Sequence, residues 1–129
     1  MKIKVDKVLG EAREDDSLDL SGYEQVKASV QFGGLDAFIT TISRRGRTRS
    51  AKSMTTWEMI ANASGSASVT IKKASYANYP STLTTIGTIT LTTAQKATGS
   101  QAVSLSAGDY IIFELTSCSG ITDLDVELF

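Results

Sequence analysis

Histidine is absent from this sequence of 129 residues, and cysteine, proline and tryptophan each occur once. Without histidine there is no Ser-His-Asp or Cys-His catalytic arrangement, no histidine-ligated zinc site and no imidazole pH switch. The lone Cys118 cannot form an internal disulfide or a CxxC metal site, and we interpret it as a small buried apolar residue. These absences exclude many common catalytic and metal-binding sites.

Long apolar runs and a strong charge imbalance are also missing. No run approaches the roughly 20 residues that a membrane helix needs, and the N-terminus lacks the apolar core of a signal peptide. The formal net charge of −1 creates no general field that would attract nucleic acid or a membrane surface. We therefore expect a soluble protein made in the cytoplasm, with no nucleic-acid and no membrane partner.

The residues that are present favour an all-β fold. Apolar residues make up 41% and charged residues 21% of the chain, and serine, threonine and β-branched residues are abundant. The length suits one domain over residues 1–129. Eight or nine short alternating segments separated by turn residues predict a two-sheet antiparallel β-sandwich, jelly-roll-like in its connections.

Two hairpins are predicted from alternation around small polar turns. Residues 57–61 and 67–71 each place apolar side chains on one face, and the segment 62–66 between them suits a turn. Residues 23–32 and 35–43 form a second predicted pair, joined at Gly33-Gly34. The other predicted strands are residues 1–9, 85–92, 101–105, 110–116 and 121–129, and Gly99 is expected to break the chain between 85–92 and 101–105.

Two of these strands carry most of the predicted core. The near-continuous apolar run 110–116 predicts a central strand covered at least partly on both sides, with Ile111, Phe113 and Leu115 on one face. The last strand alternates, with Leu124, Val126 and Leu128 facing inward. Its outward acids are Asp123, Asp125 and Glu127, which we interpret as a solubilising face, with cation binding as the alternative.

Two charged segments allow more than one interpretation. Residues 44–52 contain Arg44, Arg45, Arg47 and Arg49 and are predicted to lie on a hairpin tip. A solvated loop is the first interpretation, contact with an acidic protein surface the second, and nucleic acid the least favoured because no aromatic residues are interleaved. The acidic run 11–19 lacks the spacing of a calcium loop, so we interpret it as a solvated loop, with divalent-ion binding as the alternative.

No catalytic motif is present. The sequence contains no GxSxG, P-loop or GxGxxG motif, and no pair of acids stands out as a glycosidase pair. We therefore expect no enzyme activity, no metal and no cofactor. Trp57 lies in an apolar alternation and is predicted to be core, whereas Tyr76 and Tyr79 are candidates for stacking on a sugar.

Residues 50–129 resemble a β-sandwich domain of tailed-bacteriophage virion structural proteins. That domain has a tryptophan strand, a turn around Ser-Gly-Ser, an apolar strand leading into YANYP, and an Ala-Gly-Asp turn before another apolar strand. Those places are held here by Trp57, Ser64-Gly65-Ser66, the segment 76–80 and Ala107-Gly108-Asp109. Family members tend to carry an aromatic residue where Lys72 stands and a longer segment after YANYP, and residues 1–49 match nothing in the family.

The resemblance implies a virion structural protein without catalytic residues. A tail-fibre shaft would need a coiled coil, a collagen-like tract or a β-helix repeat, and the sequence has none. We therefore expect a capsid decoration (cement) protein that contacts itself, as a homotrimer, and other virion proteins such as the major capsid protein. The alternative is a receptor- or glycan-binding module of a tail fibre or head fibre, with a host surface glycan as partner.

Overall fold

Antiparallel strands make up most of the part of the chain that the structure, a computed structural model, describes, namely residues 26–129. The six strands in this range are β1 (Ala28–Phe32), β2 (Ile42–Arg47), β3 (Lys52–Ala74), β4 (Thr84–Leu105), β5 (Tyr110–Ser119) and β6 (Leu124–Leu128). One turn of 3-10 helix, Leu35–Ala37, lies between β1 and β2. The predicted strand 1–9 and the acidic run 11–19 lie outside the described residues.

The fold is built on the long hairpin of β3 and β4, which have 23 and 22 residues. The first part of β3 pairs with β6, and its last part pairs with β5, while β4 follows it on the other side. Strand β1 extends the first half through β6, and β2 extends the second half through β5. The two halves share one hydrophobic core. The pairings among these six strands are antiparallel, so the all-β antiparallel prediction is confirmed.

The predicted hairpin turn at residues 62–66 is wrong. This segment is a bend within β3, between the part that pairs with β6 and the part that pairs with β5. The pairing with β4 is irregular between Ile60 and Ala67. At Gly65 the backbone passes so close to β5 that an added Cβ would lie 2.5 Å from the carbonyl oxygen of Ser119. Small residues therefore serve a close backbone approach here and do not reverse the chain.

The side chain of Asn62 explains why a residue typical of turns stands at this bend. Its Oδ1 accepts hydrogen bonds from the backbone N–H groups of Thr122 and Asp123, both at 2.9 Å. Its Nδ2 donates to Oγ1 of Thr122 at 2.9 Å. Asn62 thus holds the bend of β3 against the connection between β5 and β6, and the chain reverses instead at the YANYP segment between β3 and β4.

The second predicted hairpin is also wrong, because β1 pairs with β6 and β2 pairs with β5. Leu35 is buried, and its N–H donates to the carbonyl oxygen of Thr122, which turns the chain away after Gly33-Gly34. Gly34 has a φ of 65°, a conformation that glycine adopts without strain. In the predicted continuation of this strand, Ile39 is 92% exposed.

The number of strands also differs from the prediction, because predicted neighbours in the chain are joined into single long strands. Residues 85–105 were expected to form two strands broken at Gly99, but β4 continues through it. An added Cβ at Gly99 would lie 2.7 Å from Nε1 of Trp57, so the glycine makes room for the indole. Each long strand takes the place of two short predicted ones, which leaves six in residues 26–129 and does not confirm the jelly-roll connections.

The predicted core is confirmed in its main parts. Strand β5 lies between β3 and β2, with Ile111, Phe113 and Leu115 buried on one face. Ile112 on the opposite face is also buried, so this strand is covered on both sides as expected. The inward residues of β6, Leu124, Val126 and Leu128, are fully buried, and Trp57 packs against the core. Each such side chain stabilises the fold by roughly 1.5–3 kcal/mol.

Candidate functional site

The outer face of the half-sheet formed by β2, β5 and β3 carries the candidate site. Because Ile111 and Phe113 point into the core, alternation places Tyr110 and Ile112 of β5 on the outside. The register sets Arg47 of β2 opposite Tyr110, and Arg45 opposite Ile112. The basic segment 44–47 is therefore part of an edge strand, and its predicted place on a hairpin tip is wrong.

The YANYP turn between β3 and β4 brings two more tyrosine rings to this face. Backbone N–H groups of Asn78 and Tyr79 donate to the carbonyl oxygen of Ser75, and those of Ser81 and Thr82 donate to the carbonyl oxygen of Asn78. The ring of Tyr79 stacks on Tyr110 with 4.3 Å between centroids and an interplanar angle of 21°. The ring of Tyr76 lies 6.4 Å from that of Tyr110 at 18°.

Two arginine side chains lie over these rings. The Cζ atom of Arg47 is 4.5 Å from the ring centroid of Tyr76 and 5.4 Å from that of Tyr110. The Cζ atom of Arg45 is 5.8 Å from the ring centroid of Tyr79. All these distances are within the range of cation–π attraction. We call the five residues the tyrosine–arginine cluster: Arg45, Arg47, Tyr76, Tyr79 and Tyr110.

The turn before β5 fixes the position of Arg47 and Tyr110. Gly108, with a φ of 88°, donates its N–H to the carbonyl oxygen of Thr48, while the N–H of Thr48 donates to the carbonyl oxygen of Asp109. The Asp109 carboxylate accepts a hydrogen bond from the N–H of Ser106 at 2.9 Å. The Nε of Arg47 donates to the carbonyl oxygen of Gly108 at 3.0 Å, which orients its guanidinium group over the rings.

Solvent reaches the tyrosine–arginine cluster unevenly. The side chain of Tyr76 is 64% exposed, whereas Tyr79 and Tyr110 are half-buried. Arg45 and Arg47 are exposed, and together with Ser43 and Tyr110 they line a shallow open depression. The cluster thus presents three tyrosine rings with two guanidinium groups lying over them.

Positive charge dominates this face. Lys72 and Glu114 form an ion pair at 3.0 Å on the neighbouring strands β3 and β5. Within residues 26–129, neither Arg45 nor Arg47 lies within salt-bridge distance of a carboxylate.

The residues singled out in the sequence only partly come together. Arg45, Arg47, Tyr76 and Tyr79, from two separate candidate sites, meet in one cluster. Arg44 lies on the other face of β2, with its Cζ 5.7 Å from the ring centroid of Phe32. Arg49 is exposed beyond the end of β2. Tyr110 was missed as a site residue, although its alternation with Ile111 already placed it on the outer face.

The acidic face of β6 is separate from this cluster. Asp123 and Asp125 are exposed and Glu127 is half-buried, with Leu124 and Val126 inward, as the alternation predicted. In the part of the chain that the structure describes, no three acidic, cysteine or histidine side chains converge as a metal site would need. Cys118 is half-buried, its thiol faces the carbonyl oxygen of Ile121 at 3.8 Å, and burial raises its pKa.

Comparison with known proteins gives distant likenesses among the solved structures. Residues 26–129 contain no helix long and apolar enough to cross a membrane. No protein-family model matches the chain, and no curated protein matches it. Three chains among the solved structures do match. One is the CBM32 of AlyQ in complex with 4,5-unsaturated mannuronic acid, similar with a TM-score of 0.44 and 20% identity over 81% of this chain and 95% of that chain.

Proposed function

We propose that this chain is a non-catalytic binding module that recognises a saccharide through the tyrosine–arginine cluster. The observation that carries the proposal is the convergence of three tyrosine rings and two guanidinium groups, from β2, β5 and the YANYP turn, on one exposed surface. Tyrosine presents an apolar face to the C–H groups of a sugar ring and a hydroxyl for hydrogen bonding. Arginine adds planar N–H donors next to the rings that it lies over.

A purely structural role for the cluster is the competing explanation. The stack of Tyr79 on Tyr110 does fasten the YANYP turn to β5. Tyr76 does not fit that role, because its side chain keeps 64% of its surface in solvent and buries little area against the sheet. Large aromatic side chains left exposed beside arginine are typical of binding surfaces. Tyr76 is therefore the residue that separates the two explanations.

A glycan array with the fluorescently labelled chain tests the proposal. We expect the wild-type chain to bind a defined set of glycans and Tyr76→Ala to lose about fivefold to tenfold in affinity, because the lost stacking contact is worth about 1–1.4 kcal/mol. Tyr76→Phe keeps the ring and should retain most of the binding. Ile39→Ala, at a position 92% exposed elsewhere on the surface, is the matched control.

Two outcomes would count against the module. Wild-type chain that binds no glycan on the array contradicts the proposed function outright. Glycan binding that survives unchanged in Tyr76→Ala, in protein with a wild-type unfolding midpoint, would place the binding surface elsewhere and remove the cluster from the proposal.

A virion surface is the setting that we propose for this module, on the strength of the resemblance in residues 50–129. Capsid decoration is the second candidate, and the distribution of charge favours it. Arg45 and Arg47 lie on the edge strand β2, while Asp125 and Glu127 lie on β6 of the other half-sheet, so neighbouring copies have complementary surfaces to meet. Locating the chain in an image of the purified particle tests this placement, and density only at the tail would contradict decoration.

A further inference from the structure

We infer that the saccharide recognised by the tyrosine–arginine cluster is anionic, with carboxylate groups that Arg45 and Arg47 bind. This inference rests on the proposed function. Both guanidinium groups belong to residues two positions apart on one strand, so they project from the same face about 7 Å apart along β2. Arg47 lies over Tyr76 and Arg45 lies over Tyr79, so a ligand that spans the two rings would meet both guanidinium groups.

The carboxylates of this region are already engaged by other partners. Glu114, on the same outer face, pairs with Lys72 at 3.0 Å. Asp109, beside Tyr110, accepts the hydrogen bond of the Ser106 N–H. Among residues 26–129 the two guanidinium groups of the cluster are thus left without an acidic partner, and a ligand carboxylate would supply one.

The geometry of Arg47 leaves it suited to such a ligand. Its Nε is bound to the carbonyl oxygen of Gly108, and its guanidinium plane lies over Tyr76, so the side chain is held in place before a ligand arrives. Within residues 26–129 its terminal nitrogens make no hydrogen bond, so their N–H groups can donate to a carboxylate. Charge-assisted bonds of this kind are stronger than neutral ones, and an oriented guanidinium group loses less conformational freedom on binding.

Polygalacturonate and its carboxyl-reduced form, which differ only in the charged group, are the probes that test the inference. Titration calorimetry on the full chain should give about tenfold tighter binding of the native polymer, because one charge-assisted hydrogen bond is worth over 1.4 kcal/mol. Arg45→Gln and Arg47→Gln should each remove part of this difference, and the double variant should bind the native polymer about as weakly as the wild type binds the reduced one.

The chain supplies its own matched controls. Arg44→Gln removes the same charge from the opposite face of β2, and Arg49→Gln removes it from the loop beyond the strand. Both variants should bind the native polymer with an affinity within about twofold of wild type if binding depends on the position of the arginine. The long-range effect of one exposed charge is screened at physiological salt. An equal loss in all four variants would mean attraction by net charge alone and would overturn the inference.

Other results separate the failure of this inference from failure of the proposed function. Equal affinity for native and reduced polymer, insensitive to either cluster arginine, overturns the carboxylate assignment and leaves saccharide binding intact. Binding of neither polymer, with no hit for hyaluronate or polysialic acid, counts against saccharide binding itself. Heparin bound more tightly than every carboxylated polymer would assign the site to sulfate, and preference for a poly-glutamate peptide would assign it to an acidic protein surface.

Discussion

Tyr110 holds the tyrosine–arginine cluster together, whereas Tyr76 forms its exposed edge. Tyr110 stacks with Tyr79 and lies beside Tyr76, and the guanidinium group of Arg47 lies over its ring. Tyr110→Ala therefore removes several contacts at once. We expect it to lower the free energy of unfolding by about 1–3 kcal/mol, and Tyr76→Ala to lower it by less than about 1 kcal/mol. Urea unfolding followed by the fluorescence of Trp57 measures both. Equal losses would mean that Tyr76 is structural.

Cys118 provides a pH-dependent signature of the folded state. Burial raises the pKa of its thiol, so the folded chain holds the proton more tightly than the unfolded chain does. Its contribution to stability is therefore fully present below the ordinary thiol pKa and is lost as the pH rises through the higher folded-state value. We expect slower reaction with a disulfide reagent at pH 8 in native protein than in urea-unfolded protein.

Cys118→Ser is the reference for that measurement. The drop in unfolding midpoint between pH 7 and pH 10 should be larger in the wild type than in this variant, because serine does not ionise in that range. Identical pH profiles, together with native reactivity as fast as in urea, would show that the thiol is not shielded by the fold.

The bend of β3 at Gly65 is the feature of the secondary structure on which the fold depends most. An added Cβ there would meet the Ser119 carbonyl oxygen at 2.5 Å and Cγ2 of Ile121 at 2.7 Å, and the first of these atoms belongs to the backbone. Gly65→Ala should therefore destabilise the fold by about 1–3 kcal/mol. Ser64→Ala, at an exposed neighbouring position, should leave the urea midpoint nearly unchanged. Matching midpoints for the two variants would contradict the close approach.

Strands whose own residues alternate between apolar and polar could be predicted from the sequence. Bends that depend on contacts with residues far away in the chain could not. The alternation in β5 and β6 identified the inward residues of both. The segment 62–66 has residues typical of a turn, but Asn62 bonds to Thr122 and Asp123, some 60 positions away. Local sequence carries no signal of such a contact. The basic strand β2 was taken for a loop because its partner β5 supplies most of the apolar surface between them.

The site was predictable as parts and not as a whole. Tyr76, Tyr79 and the arginines were each recognisable as exposed binding groups in the sequence. Their convergence depends on the pairing of β2 with β5 and on the length of the β3–β4 hairpin, which brings the YANYP turn over Tyr110. Arg44 and Arg49 were grouped with Arg45 and Arg47 only because a predicted loop has no faces to separate them.

For the whole molecule, we predict a homo-oligomer, with a trimer as the expected state. Within residues 26–129, β1 pairs only with β6 and β2 pairs only with β5, and the unpaired edges of β1 and β2 border one cleft. Exposed charge pairs add about 0–1 kcal/mol each, and they select the orientation of copies that apolar contacts hold. Light scattering across a salt series should show assembly that weakens as salt increases.

Substitution of Arg44→Glu should weaken this assembly, because Arg44, on the face of β2 away from the tyrosine–arginine cluster, would then repel an acidic partner surface. Arg49→Glu is the control for net charge. A strict monomer at high concentration and low salt would refute the oligomer.

Chemical-shift mapping of the full chain with an oligogalacturonate is the most direct test of the account, because it locates the binding surface without a substitution. We predict that perturbed backbone amides and arginine Nε–H signals concentrate in β2, the YANYP turn and the start of β5, around the five residues of the tyrosine–arginine cluster. The face of β1 and β6 should remain unchanged. Perturbations centred on Asp125 and Glu127, or spread evenly over the surface, would contradict the assignment of the cluster as the binding site.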